Sequence, residues 1–143
     1  MDRKNDFKRA LKFVLKWEGK DSDGPNDPGG ITRYGISQNA HPYLNVKDLT
    51  LKEAKEIYFK NYWLKANCDK ISFPMNICIF NCAVNCGVSR AKKFMVSSLG
   101  WQDYLFKQIE FYAGLKNFKY FGRGWIRRTI SLYKEIKKYG KEI

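Results

Sequence analysis

Apolar side chains recur every three or four residues along most of this chain, the spacing that lines one face of an α-helix. The pattern predicts a first helix that Asp6 caps and Gly19 ends, and a second that opens with the capping box Thr50-Leu51-Lys52-Glu53 and runs to about Leu64. The inward face of the second helix is expected at Leu51, Ala54, Ile57, Tyr58 and Tyr62. Later helices are expected from Pro74 to Gly87, from Ser89 to near Gly100, from Gln102 to Lys116 and from Gly124 to Tyr139.

Residues 19–36 interrupt this helical pattern. Residues 19–33 are rich in Gly, Pro, Asp and Asn, which predicts a loop, and a short hairpin has room within 19–36. No alternating strand pattern longer than a few residues occurs, and no repeat or low-complexity linker divides the sequence. A length of 143 residues is sufficient for one buried core. The fold is therefore expected to be mainly α, a compact single helical domain spanning 1–143.

Lysine and arginine outnumber the acidic residues by 27 to 14, which gives a formal net charge of +13. Such a surplus attracts polyanions, whether nucleic acid, anionic lipid or cell-wall polymer, without choosing among them. No apolar run approaches the roughly 18 residues that span a bilayer, and the first residues lack the apolar stretch and cleavage site of a signal peptide. We therefore expect the protein to be made in the cytoplasm and to stay there at first.

The four cysteines are Cys68, Cys78, Cys82 and Cys86. The last three follow one another at intervals of four residues and therefore stack on one helical face. Two interpretations are open, a zinc site and buried reduced thiols. Three cysteines on one helix span roughly 12 Å, which is too far for the outer two to share one ion. Buried thiols are the favoured interpretation, and no metal or other cofactor is expected.

Glu18 is the candidate for acid–base chemistry. It follows Trp17 in the last turn of the apolar first helix, immediately before the break at Gly19. Desolvation over a core and the negative end of the helix dipole both favour the protonated form of such a carboxyl. A carboxyl that stays protonated near neutral pH can give its proton to a glycosidic leaving oxygen. By residue type alone, a glutamate at a helix end is more often a solvated side chain.

A glycosidase also needs a second polar group across the sugar from its acid. Asp27 and Thr32 follow Glu18 in or just after a loop whose prolines and glycines can fold it back over the helix end. Both are candidates for positioning water or stabilising an oxocarbenium-like transition state. Each has an equally good structural interpretation, Asp27 as an Asx-turn ahead of Pro28 and Thr32 as a turn or strand residue.

The segment from Trp17 to Ile36 resembles a known family signature. A Glu-Gly pair ends the helix, and an Asn-Asp-Pro-Gly-Gly-Ile-Thr-Arg-Tyr-Gly-Ile run follows at 26–36. This arrangement is similar to that of the glycoside hydrolase family 108 muramidases, which include phage endolysins and bacterial secretion-assisting lysozymes. Further similarity follows in order at 49–58, Tyr62-Trp63, Ala83-Val84-Asn85, Gly87, Arg90-Ala91, Phe121 and Gly124-Trp125-Ile126.

The resemblance implies a lysozyme-like helical fold and hydrolysis of the β-1,4 bond between N-acetylmuramic acid and N-acetylglucosamine in bacterial peptidoglycan. Glu18 matches the family's essential glutamate, whereas Asp27 and Thr32 are assigned by the similar Glu, Asp, Thr order of phage-type lysozymes. The resemblance also implies a catalytic N-terminal half, 1–70, and a helical C-terminal half, 71–143, like the associated peptidoglycan-binding region. An endolysin would remain in the cytoplasm of the infected host until lysis.

Tyr34, Gln38, Asn85 and Trp125 are candidates for contact with sugars. Aromatic residues at helical spacing more often belong to the core, and Asn85 near a helix end can cap the next turn instead. The basic residues that follow Lys116 form a solvated helix face, which can also hold an anionic wall or membrane surface. Peptidoglycan is thus the expected partner, and the protein is expected to act as a monomer.

Three positions depart from the family pattern. Lys20 and Asp21 stand where a glycine and then an aromatic residue usually follow Glu-Gly, and Asn81 stands where the family often has an acid. Two other functions also remain open. A lytic transglycosylase cleaves the same bond with one glutamate and no second carboxylate. A non-catalytic basic protein for wall or nucleic acid would explain the charge but not the spacing of Glu18 and Thr32, and no nucleic-acid-binding motif occurs.

Overall fold

The computed structural model describes residues 3–18, 21 and 30–141 of the chain. In this part the fold is mainly α, as predicted, with six α-helices around one core and a two-stranded antiparallel hairpin. Short 3₁₀ turns at Val46–Asp48 and Cys68–Lys70 connect the larger elements. The α-helices and strands are α1 (Arg3–Glu18), β1 (Thr32–Arg33), β2 (Ile36–Ser37), α2 (Leu51–Tyr58), α3 (Met75–Cys86), α4 (Val88–Val96), α5 (Trp101–Ala113) and α6 (Phe118–Lys141).

The central element is α3, whose residues from Asn76 to Ala83 are all buried. A helix that is apolar on every side has to be enclosed, and α3 packs against α1, α4 and α5. The polar Asn76 is accommodated because its amide donates to the buried Asp6 carboxylate at 3.0 Å. The prediction that Asp6 caps the first helix was therefore wrong. The helix starts at Arg3, and Asp6 joins α1 to α3 instead.

Phe80 of α3 is the point where three elements meet. Its ring centroid lies 5.8 Å from Phe7 of α1, 5.5 Å from Trp63 and 6.3 Å from Tyr58 of α2, each in an edge-on arrangement. Such pairs contribute about 0.5–1.5 kcal/mol each beyond the burial of their area. This cluster holds the end of α2 on α3, and so fixes the elements on which the candidate site is built.

The second helix begins with the predicted capping box. Thr50 Oγ1 accepts from the Glu53 amide at 3.2 Å, and Glu53 Oε2 accepts from the Thr50 amide at 3.0 Å. The helix then changes to π geometry over Phe59–Leu64. A π turn contains one residue more than an α turn. The next buried residue after Tyr58 is therefore Trp63, five positions later. Leu51, which was expected to face inward, is 40% exposed because the first turn projects beyond the core.

The helices of the C-terminal half are those predicted, with different starts. Ser89 was expected to cap α4, but it lies inside the helix, which begins at Val88 directly after Gly87. The last helix begins at Phe118 rather than Gly124. The helix includes Gly122, where an added Cβ atom would lie 2.5 Å from the Phe118 ring. Glycine at this position therefore leaves room for that ring. Although α6 is 24 residues long, no described helix has the length and apolarity needed to cross a membrane.

Candidate active site

Glu18 ends α1 directly beneath the turn of the hairpin. The register pairs Thr32 with Ser37 and Arg33 with Ile36, which leaves Tyr34 and Gly35 as a two-residue turn. Both turn residues have positive φ, 52° and 78°, as a type I′ turn requires. A Cβ atom on Gly35 would lie 2.7 Å from Glu18 Cβ and 2.5 Å from the Tyr58 hydroxyl oxygen. Glycine is thus required both by the turn and by its close approach to Glu18.

Two tyrosines of the second helical segment lie beside the Glu18 carboxylate. Tyr58, which is buried, donates its hydroxyl to the Tyr34 carbonyl oxygen at 2.8 Å and so anchors the hairpin turn. Burial, and after it the negative charge of Glu18, raises the pKa of Tyr58. The same two causes, in the same order, raise the pKa of the half-buried Tyr62. Both phenols therefore keep their protons and remain hydrogen-bond donors near the carboxylate.

Arg128 of α6 is the direct partner of Glu18. Its Nη1 lies 2.5 Å from Glu18 Oε1, and its Nε donates to Asn81 Oδ1 at 2.9 Å. The side chain of Arg128 is only 7% exposed, whereas that of Glu18 is 28% exposed. A buried guanidinium needs a carboxylate and further acceptors to offset its desolvation, and Glu18 and Asn81 supply them. The pair leaves Glu18 Oε2 free of Arg128.

Arg128 was not predicted from the sequence, because it stood among the many basic residues of the C-terminal helix. The residues of the pair are 110 positions apart, and no local pattern joins them. One signal was nevertheless present. Arg128 and Thr129 occur four and three residues before Leu132 on the apolar face of α6, and Asn81 interrupts the apolar α3. Polar residues at positions that the helical period assigns to the core indicate a buried polar contact.

Several buried side-chain donors have no hydrogen-bond partner in the described part of the chain. They include Arg128 Nη2 and Asn81 Nδ2, which belong to the side chains that hold Glu18, and Trp17 Nε1 and Arg33 Nε from the flanking elements. Buried donors without partners are costly, at roughly 1–3 kcal/mol each. Two of these donors, Arg128 Nη2 and Asn81 Nδ2, therefore reduce the net stabilisation that the Glu18–Arg128–Asn81 contact provides.

The hairpin carries two of the residues predicted for the site. Thr32 begins β1, the strand that leads to the turn over Glu18, and is half-buried. Tyr34 is half-buried in the turn itself, with the Arg33 guanidinium 5.3 Å from its ring centroid. Its backbone amide donates to Asp21 Oδ1 at 3.1 Å. Asp27 lies outside the described residues.

Gln38 shapes the loop that follows the hairpin. Its side-chain amide donates to the carbonyl oxygens of His41 and Leu44 at 3.0 and 2.6 Å, and its oxygen accepts from the Val46 amide at 3.2 Å. These bonds use most of the side chain's hydrogen-bonding capacity. The contacts therefore place Gln38 as a support of the loop at 41–46, directly after the hairpin.

Asn85 and Trp125 are brought together through Tyr112 of α5. Asn85 Nδ2 donates to the Tyr112 hydroxyl, and the Tyr112 ring stacks on Trp125 with centroids 4.9 Å apart and planes 19° apart. Asn85 lies one turn after Asn81 on α3, and Trp125 lies one turn before Arg128 on α6. One helical turn advances about 5.4 Å. Asn85, Tyr112 and Trp125 therefore form a second layer of contacts, one turn away from the Asn81–Arg128 hydrogen bond that lies beside Glu18.

The four cysteines are all free thiols. Cys68, Cys78 and Cys82 are buried, as the sequence predicted, but Cys86 at the end of α3 is only half-buried. Burial raises the pKa of Cys68 and of Cys78. Among the described residues no group of three or more His, Cys, Asp or Glu side chains is placed to hold a metal ion.

Comparison with known proteins relates the chain to one family. Residues 11–87 match the model of the family described as glycosyl hydrolase 108, a segment that is more than half of the chain and contains Glu18, the hairpin and Asn85. The fold is similar to the solved structure of Brucella abortus SagA, with 25% identity and a TM-score of 0.82 over 94% of this chain and 95% of that one. The part left uncovered is shorter than either α5 or α6, so the likeness includes C-terminal helices that the family match does not reach. No curated protein matches the chain in a sequence comparison.

Proposed function

Because the chain belongs to the glycosyl hydrolase 108 family, and is thus a glycoside hydrolase with a lysozyme-like role on peptidoglycan, we propose that it is an N-acetylmuramidase. It hydrolyses the β-1,4 bond between N-acetylmuramic acid and N-acetylglucosamine, with Glu18 as the general acid. The observation that carries this proposal is the setting of Glu18. It is a partly exposed carboxylate at a helix end, held by a buried arginine beneath a hairpin turn that only glycine permits.

The contact with Arg128 determines which oxygen of Glu18 can act as the acid. A guanidinium has only donors, so the oxygen that faces Arg128 Nη1 must be an acceptor and cannot present a proton to it. The acidic proton therefore belongs on Oε2, the oxygen that Arg128 leaves free. From there it can pass to the leaving glycosidic oxygen as the bond to the sugar breaks. Arg128 then stabilises the carboxylate that forms.

Asp27 and Thr32 are proposed as the groups across the sugar, which position water or stabilise the oxocarbenium-like transition state. Thr32 is supported by its place in the strand that leads to the turn over Glu18. The distance between the two carboxyl groups would set the stereochemistry, with about 5 Å for retention and a wider gap for inversion.

Tyr34, Asn85 and Trp125 are proposed to contact the glycan. Tyr34 is part of the turn over Glu18, and the Asn85–Tyr112–Trp125 layer adjoins the Arg128 contact. The contacts of Gln38 support a role in holding the loop at 41–46 rather than in touching sugar.

The outer face of α6 is proposed to hold the enzyme on an anionic wall or membrane surface. Arg123, Arg127, Lys134 and Lys138 are exposed on this face, opposite the buried Leu132 and Ile136. Attraction of this kind is screened by salt. Sedimentation with purified walls should therefore weaken between low and physiological ionic strength, and salt-independent sedimentation would exclude the role. The protein is proposed to act as an endolysin that leaves the cytoplasm of an infected host at lysis. It would then bind the wall as a monomer through this surface.

Analysis of the reaction products tests the proposed bond. Purified peptidoglycan digested with the protein is expected to release muropeptides with reducing N-acetylmuramic acid ends, identified by mass spectrometry before and after borohydride reduction. Fragments with 1,6-anhydro ends would instead identify a lytic transglycosylase. Reducing N-acetylglucosamine ends would place the cleavage at the other glycosidic bond, and an absence of fragments would leave only a binding role.

A further inference from the structure

The four thiols occupy two different settings, although three of them follow one another along α3. Cys68, Cys78 and Cys82 are completely buried. Cys86 is the last residue of α3, half-buried, and followed by Gly87, which ends the helix. Cys86 is therefore the one cysteine of the chain that is not completely buried.

The side chains around the Cys86 sulfur are fixed and direct protons toward it. Gln108, which is completely buried, donates from Nε2 to the Tyr112 oxygen at 2.7 Å and toward Cys86 Sγ at 3.9 Å. The Tyr112 oxygen also accepts from Asn85, so both of its lone pairs are used. The Tyr112 proton is then left for the Cys86 sulfur, 3.5 Å away. The sulfur thus receives two donors that cannot turn elsewhere.

Two further groups favour the thiolate form of Cys86. The Cys82 thiol, one turn earlier on α3, shares a hydrogen bond with Cys86. The Arg90 guanidinium, from the first turn of α4, donates to the Cys86 carbonyl oxygen at 3.1 Å and brings a positive charge to the C-terminal end of α3. The hydrogen bond from Cys82 is the largest cause that lowers the pKa of Cys86, to about 7, and burial opposes it. The hydrogen bond from Tyr112, the positive charge of Arg90 and the hydrogen bond from Gln108 also lower this pKa, in that order.

We propose that Cys86 is a covalent modification site, a thiol set to react with peroxides and other soft electrophiles. The thiolate sulfur bonds to one oxygen of a hydroperoxide, the O–O bond breaks, and the other oxygen leaves and takes a proton to form water or an alcohol. The sulfur becomes a sulfenic acid and is oxidised by two electrons as the peroxide is reduced. Gln108, whose Nε2 approaches the Cys86 sulfur, also has a buried oxygen, Oε1, with no hydrogen-bond partner in the described chain. This oxygen is an acceptor for the new S–OH group.

The size of the effect follows from the thiolate fraction and the nucleophilicity of the sulfur. At pH 7 a thiol with a pKa of about 7 is half ionised, against roughly 3% for an ordinary cysteine of pKa near 8.5. Lower basicity reduces the reactivity of the thiolate itself, with a Brønsted slope of about 0.4–0.5. The two effects together make Cys86 about threefold faster at pH 7 than an unstructured thiol.

Alkylation of the native protein tests this site directly. Iodoacetamide is applied to the wild-type chain between pH 5.5 and 9, and each cysteine peptide is quantified by mass spectrometry. Cys86 is expected to be alkylated first, with a rate that rises through a midpoint near pH 7, while Cys68, Cys78 and Cys82 react only in denaturant. A midpoint above pH 8, or labelling of Cys86 at the rate of the three buried cysteines, would overturn the proposal.

Two variants separate the built site from simple exposure. Tyr112→Phe removes the hydroxyl and keeps the ring that stacks on Trp125, so the alkylation midpoint of Cys86 is expected to rise. Tyr133→Phe removes a phenol that stacks on Trp101, away from Cys86, and should leave the midpoint unchanged. Equal midpoints in the two variants would show that the Tyr112 hydroxyl does not act on the sulfur. With hydrogen peroxide and dimedone, the trapped sulfenic acid is expected at Cys86, and trapping elsewhere would contradict the assignment.

Discussion

Glu18 and Gly35 share one small space at the end of α1, and each limits what the other position can be. The turn over the carboxylate needs a residue that adopts positive φ, and the approach of Glu18 and Tyr58 leaves no room for a side chain. A glycine with two independent requirements is more constrained than one that only shapes a turn. The placement of Glu18 therefore depends on a residue that itself carries no reactive group.

Replacing Gly35 by alanine tests this dependence. The positive φ costs about 1–2 kcal/mol for a residue with a Cβ, and the collision adds about 1–3 kcal/mol of overpacking. Because the Cβ would push on Glu18 itself, activity on peptidoglycan is expected to fall on the order of 100-fold even where the protein is folded. The rate of wall clearance and the urea midpoint are measured together.

Gly124→Ala is the matched control for this change. Gly124 is exposed within α6, a Cβ atom added there would have no described atom within 4 Å, and alanine favours the helix. Stability is expected to rise slightly and activity to stay at the wild-type level. If Gly35→Ala were as active as Gly124→Ala, the hairpin turn would not position Glu18.

At the scale of elements, α6 has two unlike faces, and neighbouring arginines lie on different ones. Arg128 points into the molecule and joins α6 to both α1 and α3 through Glu18 and Asn81. Arg127, the preceding residue, is exposed, because consecutive positions on a helix are about 100° apart. The same helix therefore completes the candidate site on one side and offers a basic surface on the other.

The contribution of the buried contact is tested by Arg128→Met, which keeps most of the side-chain volume and removes the charge. Loss of one partner of a buried pair costs about 3–5 kcal/mol, and the partial exposure of Glu18 puts the expected loss near the lower value. Arg127→Met, on the exposed face, should change the free energy of unfolding by less than about 0.5 kcal/mol. Equal urea midpoints for the two variants would mean that Arg128 does not hold the elements together.

At the scale of the whole molecule, local signals predicted the elements and long-range contacts decided how they meet. Helical periodicity and the Thr50–Glu53 capping box were sufficient for the order of the helices, because each is encoded within a few turns. The π turn and the early start of α6 escaped prediction. The π turn depends on tertiary packing of Trp63 against Phe80. The early start of α6 is a local feature instead, in which Gly122 leaves room for the Phe118 ring one turn earlier on the same helix.

The candidate site divides in the same way. Glu18 and the hairpin are close in sequence, so one motif was enough to bring them forward. Arg128, Asn81 and Tyr112 come from three other helices, and only the assembled fold places them beside Glu18 and Asn85. Residues of the expected N-terminal and C-terminal halves thus meet in one site, and we expect neither half to be active alone.

The most direct test of the account compares Glu18→Gln with the wild type on purified peptidoglycan. Glutamine keeps the size of the side chain and can still accept from Arg128, but it has no proton to give to a glycosidic oxygen. The initial rate of release of reducing ends is expected to fall by about 10²–10⁴-fold, while Glu56→Gln, a change at an exposed carboxylate of α2, keeps the wild-type rate. A folded Glu18→Gln protein that releases reducing ends as fast as Glu56→Gln would contradict the account.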